Sequence, residues 1–224
     1  SSLIQKDLNL KSNALFGTKN YSYTETPSVS PSELMTGSDW LNQPNKSQKK
    51  YLDTEAVYRQ FVYEDYQTVD QGLEKTIAHL FDQDEFENTG IYSISQHIRD
   101  TLTKYMKYDE KTNTQSENVL EDFLNQKISG NDVLFASAAV EAFRHYNIPA
   151  RYVEGYLLKS DAIDEEGNAT LTSKDGHAWV EVYFDGMGWL PIDVTPGYYY
   201  DVYTLMNMVA TPQGDNSQVN IEKG

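Results

Sequence analysis

The chain of 224 residues contains no cysteine. That absence excludes disulfides, thiolate metal sites and a cysteine nucleophile, while leaving the compartment open because bacterial secreted proteins also dispense with cysteine. Basic charge is scarce. Lys and Arg number 18 against 34 Asp and Glu, a formal net charge of -16, which is the wrong sign for a nucleic-acid backbone or an anionic bilayer. No nucleic-acid partner and no membrane contact by this segment are expected. No stretch approaches the ~20 apolar residues of a membrane span, and the opening SSLIQKDLNL lacks the basic flank and apolar run of a signal peptide. The chain reads as soluble, or as an excised soluble part.

What is present points to a folded, tyrosine-rich chain. Its 17 tyrosines bring apolar area whose hydroxyls need partners or water. Residues 1–50 are polar, with Pro27, Pro31 and Pro44, and read as an extended arm with one short strand around Tyr21 to Thr24. Residues 51–208 form the main domain and 209–224 a polar tail. Within that domain, Asp53 is a helix N-cap candidate ahead of Val57, Tyr58, Phe61, Val62 and Tyr66, and a second helical pattern runs through Leu73, Ile77, Leu80 and Phe81. Ser93 and Gln96 suggest a capping box for a stripe formed by Ile94, Ile98, Leu102, Tyr105 and Met106. A short helix ending near Gln126 follows. Residues 131–146 are apolar on nearly every face and predict a buried central helix, with Asn147 as a left-handed cap and Pro149 barring continuation.

Beyond Pro149 the period changes. Residues 150–158, 178–184 and 189–194 are rich in Val, Tyr and Trp, and Asp185-Gly186-Met187-Gly188 joins the last two as a hairpin. Helices first and strands afterwards predict an α+β domain, its N-terminal helices and central helix packed on an antiparallel sheet. Between strands, residues 159–176 read as a mobile polar loop, whose acidic run over 161–166 is most simply a solvated stretch.

Three acid-base residues sit where elements begin or end: Asp132 in the first turn of the central helix, His177 at the start of a strand and Asp193 toward the end of the next. If the hairpin packs on the helix N-terminus, His177 and Asp193 become cross-strand neighbours and Asp132 faces the imidazole. The pattern is that of a catalytic triad whose first member is not a thiol or hydroxyl. Read alone, Asp132 is an ordinary first-turn acid. His79, His97 and His145 are expected to be surface or half-buried, and Arg151 and Glu154 to stabilise the first strand of the sheet.

Several motifs in order make the pattern specific. Gly130-Asn131-Asp132-Val133-Leu134-Phe135-Ala136, Ile148-Pro149-Ala150-Arg151-Tyr152-Val153-Glu154-Gly155-Tyr156, His177-Ala178-Trp179-Val180-Glu181-Val182-Tyr183, Gly188-Trp189 and Asp193-Val194-Thr195-Pro196-Gly197 resemble the transglutaminase-like superfamily. The resemblance covers roughly residues 90–205, and residues 58–69 look like the helical lead-in of bacterial members, in which the domain lies outside the membrane. It implies a papain/transglutaminase-like core and an extracytoplasmic, cell-surface location in a membrane-anchored parent. It also implies His177 as the base and Asp193 as the acid that orients it. At the family's cysteine nucleophile position this chain carries Asp132.

A helix N-terminus favours Asp⁻ as it favours a thiolate, so the site keeps an anion and loses its nucleophile. A carboxylate attacking an amide would have to form an anhydride, which collapses backwards, so transamidation and cysteine-type proteolysis are expected to be lost. Two carboxylates should also raise the His177 pKa and make it a poor base. Ligand type would allow a divalent cation on the three residues, but the local spacing and the family give no precedent, and no metal or cofactor is expected. Trp179 and Trp189 are core or cleft-wall residues, Gly155 lets the backbone pass beneath the site, and these three with Tyr156 are the cleft candidates. The leading expectation is a catalytically inactive domain whose cleft binds a peptide or cell-wall-like ligand or supports assembly. The alternatives are a hydrolase using Asp132 and His177 on amide or glycan bonds, and a purely structural module.

Overall fold

The computed structural model describes residues 3–6, 9–12, 39–88, 90–112, 118–157, 164 and 169–198. In the segment read as an extended arm, β1 (Leu3–Lys6) pairs antiparallel with β2 (Asn9–Ser12), and a short helix α1 spans Asp39–Asn42. The strand expected around Tyr21 to Thr24 and the polar tail lie outside the described residues. The first long helix, α2, spans Lys46–Asp65 and starts earlier than Asp53. Its N-cap is Asn45, whose Oδ1 accepts the Ser47 and Gln48 N–H groups at 2.9 and 3.0 Å while Gln48 Oε1 accepts the Asn45 N–H at 2.9 Å. This reciprocal box outcompetes an isolated Asp because it satisfies orphan donors from both sides.

Helix α3 spans Glu74–Phe81 and α4 spans Ile91–Tyr105. Gly90, at φ 127°, is the N-cap of α4, so Ser93 lies inside the first turn and its hydroxyl donates back to the Gly90 carbonyl at 2.9 Å. The expected Ser93 cap is thereby corrected: that hydroxyl is occupied as a donor to backbone. A parallel pair, β3 (Lys107–Tyr108) and β4 (Ser129–Gly130), brackets α5 (Val119–Gln126).

The central helix α6 spans Asp132–His145, capped by Asn131, whose Oδ1 accepts the Leu134 N–H at 3.2 Å. Asn147 adopts φ 59° and the Ile148 N–H returns to the Phe143 carbonyl at 2.9 Å, which ends the helix ahead of Pro149. Phe135, Ala138, Ala139, Ala142 and Phe143 are fully buried. Phe135 packs against Phe123 of α5 with ring centroids 5.4 Å apart, and each fully buried Phe contributes about 2–3 kcal/mol. His97 on α4 is buried rather than surface, with its Nε2 2.7 Å from the Phe81 carbonyl and its ring stacked on Phe86 at 4.0 Å.

The sheet runs β5 (Ala150–Tyr156), β6 (Gly176–Phe184) and β7 (Gly188–Ile192), all antiparallel. Gly155 pairs with His177 and Val180 with Ile192. Strand alternation sends Ala178, Val180 and Val182 into the core with α6 and places His177, Trp179, Glu181 and Tyr183 on the opposite face. Helix α2 docks on the lower end of that face. Glu55, 5% exposed, accepts the Tyr183 hydroxyl at 2.7 Å and the Gly186 N–H at 3.1 Å, and Arg59 lies 3.5 Å from its other oxygen. Gly186 is at φ 77° in the hairpin turn, and a Cβ there would meet Leu41 at 2.7 Å. Among the described residues no helix is long and apolar enough to cross a membrane.

Candidate functional site

Three elements meet at one end of the sheet. Asp132 is the first residue of α6, His177 the second of β6, and Asp193 follows the last residue of β7. The ladder stops at the Val180–Ile192 pair, so Asp193 reaches His177 from the loop beyond the strand rather than as a paired neighbour. His177 Nε2 lies 2.5 Å from Asp193 Oδ2, and His177 Nδ1 lies 3.1 Å from Asp132 Oδ2. Each carboxylate has a backbone anchor: Asp132 Oδ2 accepts the Ala178 N–H at 2.8 Å and Asp193 Oδ1 accepts the Thr195 N–H at 2.9 Å. The structure therefore brings Asp132, His177 and Asp193 together, with side-chain exposures of 17%, 4% and 11%.

Charge on the imidazole follows from this geometry. Burial by itself lowers the His177 pKa, but the hydrogen bonds and charges of Asp132 and Asp193 outweigh it and push the group up to about 9. Burial likewise raises Asp132, but the His177 bond and the Ala178 and Val133 N–H groups hold its carboxyl below the ordinary range. Imidazolium satisfies both carboxylates as a double donor, whereas either neutral tautomer would aim one lone pair at a carboxylate oxygen. No nitrogen is left to accept a proton. Among the described residues, no group of three or more His, Cys, Asp or Glu side chains is arranged to hold a metal ion.

Aromatic rings surround the cluster. Tyr198 stacks on the imidazole with ring centroids 4.4 Å apart and planes 25° apart, and Trp179 lies near-parallel at 6.3 Å. Tyr108 sits edge-on to Tyr198 at 6.1 Å, and burial, Tyr198 and Asp132 keep its phenol protonated well beyond the usual range. Tyr152, hydrogen-bonded to Glu154 at 2.5 Å, is raised by burial, Glu154 and Asp132. Tyr108, Tyr152 and Tyr198 escaped sequence reasoning because one tyrosine among many carries no positional signal.

The four cleft candidates separate. Gly155 lies opposite His177 in the ladder, and a Cβ there would come within 2.6 Å of Trp179 Cη2, so the glycine makes room for that indole. Tyr156 is 51% exposed opposite Gly176. Trp189 is not beside the triad. It pairs with Tyr183 at the far end of β6, because β7 runs back antiparallel from the hairpin. There its indole donates to the Tyr58 hydroxyl at 3.0 Å, meets Tyr66 edge-on at 5.0 Å, and carries the Arg151 guanidinium over its ring at 4.5 Å. Arg151 is paired across the sheet with Glu181 at 2.7 Å.

Residues 82–194 match the family model of the transglutaminase-like superfamily. The uncharacterized protein YebA of Bacillus subtilis (strain 168) is 37% identical over 87 residues, covering 37% of this chain and 12% of that protein. A protein-glutamine gamma-glutamyltransferase of Pseudomonas aeruginosa is 38% identical over 77 residues, covering 34% of this chain and 11% of that protein. Both relatives are thus far longer than the part this chain spans. The crystal structure of the periplasmic domain of TgpA from Pseudomonas aeruginosa is 21% identical, covering 66% of this chain and 48% of that one with a TM-score of 0.44.

Proposed function

The chain belongs to the transglutaminase-like superfamily, and from that premise we propose that it is a catalytically inactive member, an extracytoplasmic part of a bacterial surface protein that binds a peptide or cell-wall-like ligand or supports assembly through the cleft beside Asp132. One observation carries the reading: both nitrogens of His177 are committed to carboxylates. A general base needs a free lone pair near the working pH, and an imidazolium clamped at both ends offers none. Asp132 stands where the family motif places cysteine. A carboxylate there has no productive acyl chemistry, since the anhydride it would form returns the acyl group to the departing amine. The charges of Asp132, His177 and Asp193 then serve as a fixed ionic floor, neutralised internally except for one negative charge.

The test is direct. Purified protein incubated with a glutamine peptide and a primary amine should yield no cross-linked product, and iodoacetamide should change nothing, because the chain has no thiol. Retention on purified peptidoglycan or on an immobilised glutamine peptide, lost in Asp132→Lys but kept in Phe61→Ala on the remote α2 surface, is the expected binding result. Cross-linking by the unmodified protein would refute the inactive reading; cleavage of an amide or glycan bond abolished by Asp132→Asn would replace it with hydrolysis through Asp132 and His177.

A further inference from the structure

We propose that Tyr198 is a lid over this site, hinged at Gly197 and latched by Tyr108, so that the ionic floor is closed until the lid swings away. The inference rests on the functional reading above and adds how access to the site is controlled. The tip of the motif pairs a fixed post with a glycine turn. Thr195 is fully buried, and its N–H is held by Asp193. Two residues on, Gly197 is exposed at φ 93°, with no atom of the described residues within 4 Å of the place a Cβ would take. A positive φ in open space is a position where glycine alone rotates without strain. Tyr198 follows at once, its N–H closing the turn onto the Thr195 carbonyl at 3.0 Å and its ring lying on the imidazole.

The latch is on a different element. Tyr108, at the end of β3, packs edge-on against both Tyr198 and the fully buried Phe135, each at 6.1 Å. The ring that holds the lid is therefore anchored in the core, while the lid is carried by a turn. With the lid down, His177 is 4% exposed at its side chain and the flanking carboxylates 17% and 11%. A ligand group that is to stack on the imidazole must displace the Tyr198 ring. A flat or apolar group can replace the stacking contact it removes, and an extended polar chain cannot. The lid therefore favours ligands that carry such a group.

The absence of cysteine makes access measurable. In Asp132→Cys the introduced thiol is the sole one in the chain and sits beneath the lid, and its alkylation by iodoacetamide requires neither turnover nor ligand binding. Rates are measured across pH, so that the plateau of the fully ionised thiol reports access and the apparent pKa reports electrostatics. A lid closed nine-tenths of the time or more should hold the plateau about tenfold below that of Asp132→Cys/Tyr198→Ala, with Asp132→Cys/Tyr108→Ala between them. Asp132→Cys/Phe61→Ala should match the single variant. Equal plateaus, or a difference confined to the apparent pKa, overturn the lid and leave the inactive reading standing. A second arm needs no cysteine: broadening of the His177 ring-proton resonance by a neutral gadolinium chelate should rise in Tyr198→Ala relative to the unmodified protein, and unchanged broadening overturns the proposal.

Discussion

Asp132→Asn probes the cluster most sharply, because it removes one charge while keeping side-chain size and a hydrogen-bonding oxygen for the Ala178 N–H. In the folded protein His177 is pushed from 6.5 up to about 9, which corresponds to about 3 kcal/mol of preference for imidazolium over the neutral ring. Both carboxylates share that figure against a burial cost, so losing one should lower the His177 pKa by roughly one to three pH units. Asp193, at 2.5 Å, remains. The sign of the stability effect follows by linkage. A folded pKa above the unfolded value gives a stabilisation fully present below about 6.5 and lost as pH rises through about 9. The variant should therefore be less stable than the parent by about 1–3 kcal/mol at pH 6, and that gap should narrow as the pH approaches 9.5. Asp132 acts at the other end of the scale. Its depressed carboxyl contributes stability that is lost as pH falls through its folded pKa. The assays are NMR titration of the His177 ring protons and urea unfolding of both proteins at pH 6 and 9.5. A folded His177 pKa at or below 6.5 in the unmodified protein would refute the clamp, since burial would then outweigh the two carboxylates.

Two further substitutions test the frame that holds the site. Glu55→Ala should cost about 2–4 kcal/mol in urea unfolding, because it leaves the buried Tyr183 hydroxyl and Gly186 N–H without their acceptor; a double-mutant cycle with Tyr183→Phe should show strong coupling, and additive effects would contradict the shared bond. Gly155→Ala should destabilise by about 1–3 kcal/mol through the 2.6 Å approach to Trp179. Its signature is a shift in indole fluorescence, and an unchanged spectrum and midpoint would mean the ring is not held where it stands.

Legibility in the sequence tracked the range of the interactions. The central helix was readable because its residues are apolar on nearly every face, and its end because Asn147 and Pro149 are local signals. The three strands were readable from their Val, Tyr and Trp content, and the meeting of Asp132, His177 and Asp193 from the order of motifs. What escaped was decided at a distance or by competition. Asn45 and Gln48 lay hidden in a polar run after Pro44, and Ser93 resembled a cap until Gly90 took that place. Glu55 reads as an ordinary surface acid on a helix, since its partners come from the hairpin. Trp189 was assigned to the cleft by sharing a sheet with Trp179, although antiparallel return sends it to the opposite end.

The Glu55 contact also orders the folding reaction. Its partners Tyr183 and Gly186 lie 128 and 131 residues further along the chain, so during synthesis α2 emerges with its carboxylate acceptor unmatched until the hairpin has followed. Closing so long a loop is entropically costly before other contacts shorten it. Helices α3 to α6, with nearer partners, are then the natural nucleus, and α2 is a late strap laid across a sheet already built. Mutations at Glu55 or Tyr183 should consequently accelerate unfolding while leaving the folding rate nearly unchanged, and a nascent chain stopped short of Gly186 should leave α2 open to protease while α3 to α6 are already protected.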